Sequence, residues 1–142
     1  MRSVLCDASV ICPWFWEDDE PDLAAARSVL AAAADGHVRP YVLDFTLLEF
    51  GNVALRRAGW PAEKTAAAIG EIEAVCAAPV AIERDALLVA LSLAARHRLT
   101  LYDAAYWAVA QERGTPLVTL DRDLIAAGGG VHPTALLDTG AR

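Results

Sequence analysis

The hydrophobic and polar positions along the chain predict short strands separated by helices. Four apolar segments have the length and residue types of buried strands, at residues 4–6, 38–43, 79–82 and 117–120. Six longer segments have helix-favouring composition or a helical spacing of apolar positions, at residues 8–16, 23–34, 45–59, 60–77, 85–98 and 104–113. A short helix at residues 125–130 and an edge strand at residues 131–137 are predicted to follow. Because the strands alternate with helices, the pattern predicts a parallel α/β sheet.

The continuity of this pattern predicts one domain over residues 1–142. A chain of 142 residues can bury about 68–70% of its extended surface, which is enough for one sizeable core. The sequence contains no internal repeat, linker or low-complexity segment. An acidic run at residues 17–20, followed by Pro21, predicts a solvated loop and the start of the second helix.

The composition indicates a soluble, cytoplasmic protein that does not contact a membrane. No apolar run approaches the roughly 18 residues of a membrane span, and the strand-like segment after Arg2 is too short for a signal peptide. Cys6, Cys12 and Cys76 lack the spacing of a zinc site or a disulfide framework, so we expect them to be buried as small hydrophobic residues. The three histidines are scattered and form no HExxH motif, which argues against a histidine-ligated metal.

The net charge of −7 argues only weakly against a nucleic-acid partner. Phosphate-binding proteins usually carry a basic surface, whereas this chain has 19 acidic residues and 12 basic ones. Acids gathered at a metal site would, however, be neutralised by the bound cations, and the remaining surface would then be closer to neutral.

Three aspartates lie where predicted elements meet. Asp7 directly follows the first strand, Asp103 opens the alanine-rich helix AAYWAVAQER, and Asp121 directly follows the last strand, with Asp123 two residues further on. In open α/β sheets, ligands bind beyond the carboxyl ends of the strands. We therefore expect Asp7, Asp103 and Asp121 to converge on that edge of the sheet.

Helix capping is the alternative explanation for each of these acids. Asp is among the preferred N-cap residues, and Asp7, Asp103 and Asp121 each precede a helical segment. Thr46 and Glu49 have the spacing of a capping box. Capping gives no reason for the acids to converge, however, so their joint arrangement favours a functional site.

Glu49 requires its own explanation because its helix, FTLLEFGNVALRRAG, is apolar on nearly every side. The polar exceptions are Glu49, Asn52, Arg56 and Arg57, and the spacing places Asn52 and Arg56 on the face of Glu49. A carboxylate in such surroundings is costly unless it is paired or bound to a metal.

Convergent carboxylates favour a bound cation. Two carboxylates about 5 Å apart repel by roughly 3 kcal/mol at an effective dielectric near 20, so one must protonate or a cation must bind. Oxygen-only ligands suit Mg²⁺ or Mn²⁺, and such acid clusters support two-metal phosphodiester hydrolysis. Ser9 and Thr119, each two residues from an acid, could hydrogen-bond a carboxylate, a metal-bound water or a phosphate, or could be ordinary turn hydroxyls.

Four segments of the sequence resemble the PIN-domain ribonucleases, and among them the VapC toxins of bacterial toxin–antitoxin pairs. The matching segments are DASV with WF following, LLEFGNVALRR, LTLYDAAYWAVA and LVTLDRDL, and they span most of the chain. The resemblance implies an α/β/α sandwich with a central parallel sheet of four to five strands. It also implies Mg²⁺-dependent endoribonuclease activity, with Mn²⁺ as an alternative cation, homodimers, and neutralisation by a cognate antitoxin.

The resemblance also assigns roles to individual residues. Asp7, Glu49, Asp103 and Asp121 match the acidic quartet of the family, and Asp123 matches an auxiliary acid. We expect Asp7, Asp103 and Asp121 to bind the metal directly, with Glu49 and Asp123 acting through water. The expected auxiliary residues are Ser9, Thr119 and Asn52, and the expected substrate-binding residues are Arg56 and Arg57.

Two other functions stay open at the level of the sequence. The chain could be a non-catalytic PIN-like module that binds RNA or a protein partner, although an intact quartet argues against this. It could also be a receiver-type regulatory domain, but Asp7 stands alone at its strand end and the only lysine, Lys64, lies within a helix. The motifs do not specify which RNA would be cut, because RNA specificity resides in surface shape and loop contacts.

Overall fold

A parallel sheet of three short strands lies at the centre of the fold. The structure is a computed structural model that describes residues 1–16 and 22–140. Within them, the central strand β1 (Arg2–Cys6) pairs in parallel with β2 (Val38–Tyr41) on one side and with β3 (Leu117–Val118) on the other. The predicted solvated loop at residues 17–21 lies outside the described residues.

Helices make up most of the described chain and follow the predicted order closely. A single turn of 3-10 helix, Cys12–Trp14, follows the first helix because Pro13 cannot continue the α-helical hydrogen bonding. The described α-helices are α1 (Ala8–Ile11), α2 (Leu23–Ala34), α3 (Asp44–Arg56), α4 (Ala62–Val75), α5 (Arg84–His97), α6 (Leu101–Arg113), α7 (Arg122–Ala126) and α8 (Pro133–Gly140).

The helices cover both faces of the sheet and form two separate apolar layers. Side chains alternate along β1, so that Val4 and Cys6 pack with residues of α2, α3, α4 and α8 on one face. Leu5 points to the other face and packs with residues of α5, α6 and α7, including the fully buried Tyr106. The predicted three-layer α/β/α architecture is therefore confirmed.

The sheet is smaller than the four to five strands that were predicted. The segment at residues 79–82 contributes one bridge, in which Val80 pairs with Leu43. The C-terminal segment contributes another, in which Val131 pairs with Val118. The prediction of an edge strand over residues 131–137 is wrong beyond Val131, because Pro133 suits the first turn of a helix and α8 begins there.

The C-terminal segment braces β3. Val131 donates its N–H to the carbonyl of Leu117 at 2.8 Å and accepts from the N–H of Thr119 at 3.0 Å. Gly130 precedes this pair, and a Cβ atom at position 130 would lie 2.5 Å from Cγ2 of Thr119. The close approach therefore requires glycine and sets the position of Thr119.

The cysteine prediction is confirmed. Cys6, Cys12 and Cys76 are free thiols buried in the apolar layer beside α2, α3 and α4. Burial raises the pKa of Cys12 and of Cys76 to about 12, so both are neutral at physiological pH. In the described part of the chain, no helix is long and apolar enough to cross a membrane.

Candidate active site

Asp7 lies at the carboxyl end of β1 and is only 4% exposed. Its Oδ1 accepts hydrogen bonds from the backbone N–H of Ser9 at 3.1 Å and from the Ser9 hydroxyl at 2.5 Å. Its Oδ2 accepts from the hydroxyl of Thr119 at 2.5 Å. The carboxylate thus caps α1 and is also held by two hydroxyls from different parts of the chain.

The surroundings of Asp7 make its charged form costly. Burial raises the pKa of this carboxyl from 3.8 to about 6, and the charges of Asp103 and Glu49 raise it further, while the hydrogen bonds from Ser9 and Thr119 lower it. Asp7 is therefore poised to lose its proton near neutral pH, when a cation can replace that proton.

Asp121 follows β3 and caps α7. Its Oδ1 accepts a hydrogen bond from the N–H of Leu124 at 3.0 Å, and its own N–H donates to the hydroxyl oxygen of Thr119 at 3.0 Å. Thr119 therefore contacts both Asp7 and Asp121, which joins the ends of β1 and β3. Asp123 lies in the first turn of α7 and is exposed.

Asp103 does not cap its helix, so the helix-capping explanation fails for this acid. The N-cap of α6 is Thr100, whose side chain accepts a hydrogen bond from the N–H of Asp103 at 3.1 Å. Asp103 is thus in the first turn of α6, which follows α5 through a short connection, so no strand leads to this acid. Thr100 supplies the cap, and its side chain also hydrogen-bonds the half-buried carboxylate of Asp103.

Glu49 does not belong to a capping box either. The hydroxyl oxygen of Thr46 accepts from the N–H of Leu43 at 3.2 Å and so caps α3 without Glu49. The half-buried Glu49 instead accepts a hydrogen bond from the hydroxyl of Tyr106, with 2.8 Å between the oxygens. Sequence reasoning missed this partner, although Tyr106 lies three residues after Asp103 and therefore on the same side of α6.

In the described part of the chain, no ion pair or hydrogen bond joins Glu49 to the cationic and amide side chains that follow it in and after α3. Asn52, Arg56 and Arg57 are exposed. Among the described residues, the only ion pair within 4.0 Å joins His132 and Asp22, at 3.7 Å. Glu49 therefore lacks the cation that the spacing of Arg56 suggested.

The candidate acids act on one another electrostatically. Burial is the main reason why the pKa values of Glu49 and Asp103 are raised, and Asp103 raises that of Glu49 further. Asp121 and Asp123 raise the pKa of Asp103. Together with the effects on Asp7, these interactions link all five predicted acids in one region, which we call the acidic edge: Asp7, Glu49, Asp103, Asp121 and Asp123.

The acidic edge suits a hydrated divalent cation better than a tight cage. Its donors are all carboxylate oxygens, which suit Mg²⁺ or Mn²⁺. In the described residues, no three Asp, Glu, His or Cys side chains are grouped closely enough to hold a metal ion as they stand. Mg²⁺ keeps several of its waters and usually needs only one or two carboxylates, so the donor set fits it.

The fold and this acidic edge together define the class of PIN-domain proteins. The model of the PIN domain family matches residues 4–130, so the chain belongs to that family. This membership rules out the receiver-type alternative. The chain is 34% identical over 107 residues to "Exonuclease VapC9" of Pyrobaculum aerophilum, and the match covers 72% of this chain and 80% of the relative.

Solved structures support the same assignment. The chain superposes on a toxin–antitoxin complex from Klebsiella pneumoniae with a TM-score of 0.70 and 19% identity, covering 92% of this chain and 97% of the other. It superposes on VapC20 of Mycobacterium tuberculosis, a sarcin-ricin loop cleaving toxin, with a TM-score of 0.71 and 19% identity, covering 88% and 95%. At these identities the likeness shows the fold, and together with VapC9 it confirms the resemblance to VapC toxins.

Proposed function

We propose that this protein is a metal-dependent endoribonuclease and the toxin of a type II toxin–antitoxin pair, with the whole chain acting as one domain in the cytoplasm. The observation that carries this proposal is the acidic edge, where the charges of Asp103 and Glu49 raise the pKa of Asp7 and those of Asp121 and Asp123 raise the pKa of Asp103. Among the described residues, no basic side chain forms an ion pair with any of them. Nuclease activity is further supported by the name of the relative VapC9.

Each residue of the acidic edge has a proposed role. Asp7, Asp103 and Asp121 would hold Mg²⁺ or Mn²⁺ directly, and Glu49 and Asp123 would do so through water. The three direct ligands would have to approach one another on binding, because no three described acids are grouped closely enough to hold an ion as they stand. A divalent cation held there would supply a water of lowered pKa and stabilisation of the leaving oxygen of the phosphodiester.

The residues around the acids hold them in place and bind the substrate. The Ser9 and Thr119 hydroxyls hold both oxygens of Asp7, so this carboxylate has one orientation when it loses its proton. Arg56, at the end of α3, and Arg57, directly after it, are exposed, and their guanidinium groups suit RNA phosphates, while the exposed Asn52 has an auxiliary role.

The proposal is tested with a circular single-stranded RNA, which an exonuclease cannot attack. We expect the purified protein to linearise and shorten this RNA with Mg²⁺ or Mn²⁺ and to leave it intact in EDTA. Asp103→Asn should abolish the cleavage. Glu63→Gln, which neutralises an exposed acid in the first turn of α4, should not.

Three other outcomes would each correct the proposal. Cleavage of linear RNA alone would make the protein an exonuclease. Full cleavage by a folded Asp103→Asn variant would remove the acidic edge from the mechanism. Tight RNA binding without cleavage under any metal would favour a non-catalytic PIN-like module.

Homodimer formation is a further part of the proposal. The central residues of α5 include three leucines that are 37–51% exposed, namely Leu87, Leu88 and Leu91. Their spacing places them on one side of the helix, where a second copy would bury them. Sedimentation of the wild type and of Leu88→Glu tests this, because the charged variant should shift the protein toward monomer.

A further inference from the structure

Tyr106 connects the two helices that carry Glu49 and Asp103. Its side chain is 1% exposed, and its hydroxyl lies 2.7 Å from Oγ1 of Thr46 and 2.8 Å from Oε1 of Glu49. Thr46 and Glu49 belong to α3, whereas Tyr106 lies one turn after Asp103 on α6. The Tyr106 hydroxyl therefore ties the Glu49 carboxylate to the helix that presents Asp103.

The donors and acceptors along this connection fix its direction. The N–H of Leu43 can only donate, so the Thr46 oxygen accepts from it at 3.2 Å and has its own hydrogen free. The Glu49 carboxylate can only accept when ionised, so Tyr106 uses its single hydrogen there. Thr46 must then donate to Tyr106. This series of hydrogen bonds runs from the start of α3 through Thr46 and Tyr106 to Glu49. It favours the ionised Glu49 carboxylate, which is the form that binds a cation.

The aromatic ring holds the hydroxyl in place. Tyr106 packs against Phe45 with 5.0 Å between ring centroids and an interplanar angle of 67°. Its ring also belongs to the apolar layer that contains Leu5 and Leu117. A ring packed in this way cannot turn aside without opening the core, so the hydroxyl is a fixed anchor for Glu49.

We propose that Tyr106 is a positioning residue. Its hydroxyl, which Thr46 orients, holds the Glu49 carboxylate in place in the acidic edge for metal binding. This inference rests on the proposed function. Phenylalanine would fill the same space in the core, so packing alone does not account for the hydroxyl. Outer partners that orient metal-binding carboxylates typically contribute 10–100-fold to metal affinity or activity.

The first test compares two tyrosine variants that each lose a single buried hydroxyl. Tyr106→Phe removes the anchor of Glu49. Tyr41→Phe is the matched control, because Tyr41 is 5% exposed and its hydroxyl bonds to Thr115 at 2.6 Å without contacting any acid of the acidic edge. Mn²⁺ is titrated against each protein, and the unfolding midpoint is followed without RNA to give an apparent Kd.

The expected result is a selective loss of metal binding. Tyr106→Phe should bind Mn²⁺ about 10–100-fold more weakly than the wild type. At a fixed, subsaturating Mn²⁺ concentration, its kcat for RNA cleavage should fall by a similar factor, while its KM for RNA stays constant. Tyr41→Phe should retain wild-type values. Equal Mn²⁺ affinity in the two variants would overturn the inference.

Thr46 supplies a second, independent variant. Thr46→Val keeps the shape but loses the hydroxyl, so it should weaken Mn²⁺ binding, and Thr46→Ser should restore it. The two hydroxyls form one chain of hydrogen bonds. The double variant should therefore lose much less Mn²⁺ binding free energy than the sum of the losses in Thr46→Val and Tyr106→Phe. Fully additive losses would contradict a shared route to Glu49.

The same measurements separate this inference from the proposed function. A wild-type protein that shows no Mn²⁺-induced shift and cuts no RNA would overturn both. A wild type that binds Mn²⁺ and cuts RNA, together with an inactive Asp103→Asn and an unaffected Tyr106→Phe, would overturn the role of Tyr106 alone.

Discussion

The hydroxyl of Thr119 donates to Oδ2 of Asp7 across 112 residues of sequence, with 2.5 Å between the two oxygens. Thr119 is fully buried and Asp7 is 4% exposed, so water does not compete for this bond. It joins the carboxyl ends of β1 and β3 at the acidic edge. The orientation of the most buried acid therefore depends on a residue of a different strand.

Thr119→Val tests this dependence. The variant keeps the shape but removes a hydrogen bond that lowers the pKa of Asp7, so protons should compete more strongly with metal. We expect about 10–100-fold weaker Mg²⁺ binding at pH 7. Isothermal titration with Mg²⁺ is the measurement.

Thr65→Val is the control for that experiment. Thr65 is also buried, at 4% exposure, and its hydroxyl donates to the carbonyl of Pro61, the residue that precedes α4. This variant should lose some stability and keep its Mg²⁺ affinity. Equal affinities in the two valine variants would contradict a role for Thr119 in holding Asp7.

Asp7→Asn should abolish RNA cleavage and stabilise the metal-free protein at alkaline pH. The folded protein raises the pKa of Asp7 from 3.8 to about 6, so ionising it above pH 6 costs the fold at most about 3 kcal/mol. Asparagine removes this cost and remains a good N-cap for α1. Urea unfolding in EDTA should show the gain at pH 8 and lose it below about pH 4, where both side chains are neutral. A destabilised variant at pH 8 would show that the charge of Asp7 is well accommodated.

Metal should reverse the pH dependence of stability. Between pH 4 and pH 6 the native state binds more protons at Asp7 than the unfolded chain does, so the free energy of unfolding in EDTA should fall as pH rises. Mg²⁺ binds the deprotonated acids, so it should raise the unfolding midpoint more at pH 8 than at pH 5.

Glu49→Gln refines the same measurement. Burial raises the pKa of Glu49, so the neutral variant should unfold at a higher temperature in EDTA and gain less from Mg²⁺ than the wild type. Thermal unfolding with and without millimolar Mg²⁺ at both pH values gives the comparison. Identical Mg²⁺ shifts in both proteins and at both pH values would exclude Glu49 from the metal site.

The antitoxin is expected to cover the acidic edge with its C-terminal segment. Like-charged neighbours raise the pKa values of Asp7 and Asp103, and such a group of acids attracts a guanidinium or ammonium group, so an Arg or Lys of the partner should lie among them. Hydrogen exchange of the complex formed with the protein encoded by the neighbouring gene should protect the amides around Asp7 and Asp103. Protection confined to the opposite end of the sheet would contradict this placement.

The order of elements could be predicted from the sequence because it depends on local pattern, and the same pattern singled out the aspartates as candidates because they lie where predicted elements meet. The first residue of a helix was harder to predict where two residues could each serve as the N-cap. Thr100 and Asp103 are both good N-cap residues, and the structure begins α6 after Thr100, which places Asp103 in the first turn instead of at the cap. Single bridges at Val80 and Val131 looked like whole strands because apolar residues surround them.

The partner of Glu49 could not be predicted because it depends on packing. Tyr106 lies 57 residues away in sequence, and nothing in the local spacing of α3 indicates it. Spacing pointed to Arg56, which shares a helix face with Glu49, but a long side chain on an exposed face extends into solvent instead. Helix periodicity predicts which side a residue occupies, and tertiary packing decides which atom it meets.

The bracing of β3 by Gly130 and Val131 connects the segment before α8 mechanically to the acidic edge. The carbonyl of Val131 accepts a hydrogen bond from the backbone N–H of Thr119. Gly130 has no side chain, which leaves room for the methyl group of Thr119. A fusion tag, a proteolytic cut or a bulky substitution at this point would therefore act on Asp7 through one hydroxyl. We expect such changes to reduce activity before they destabilise the fold.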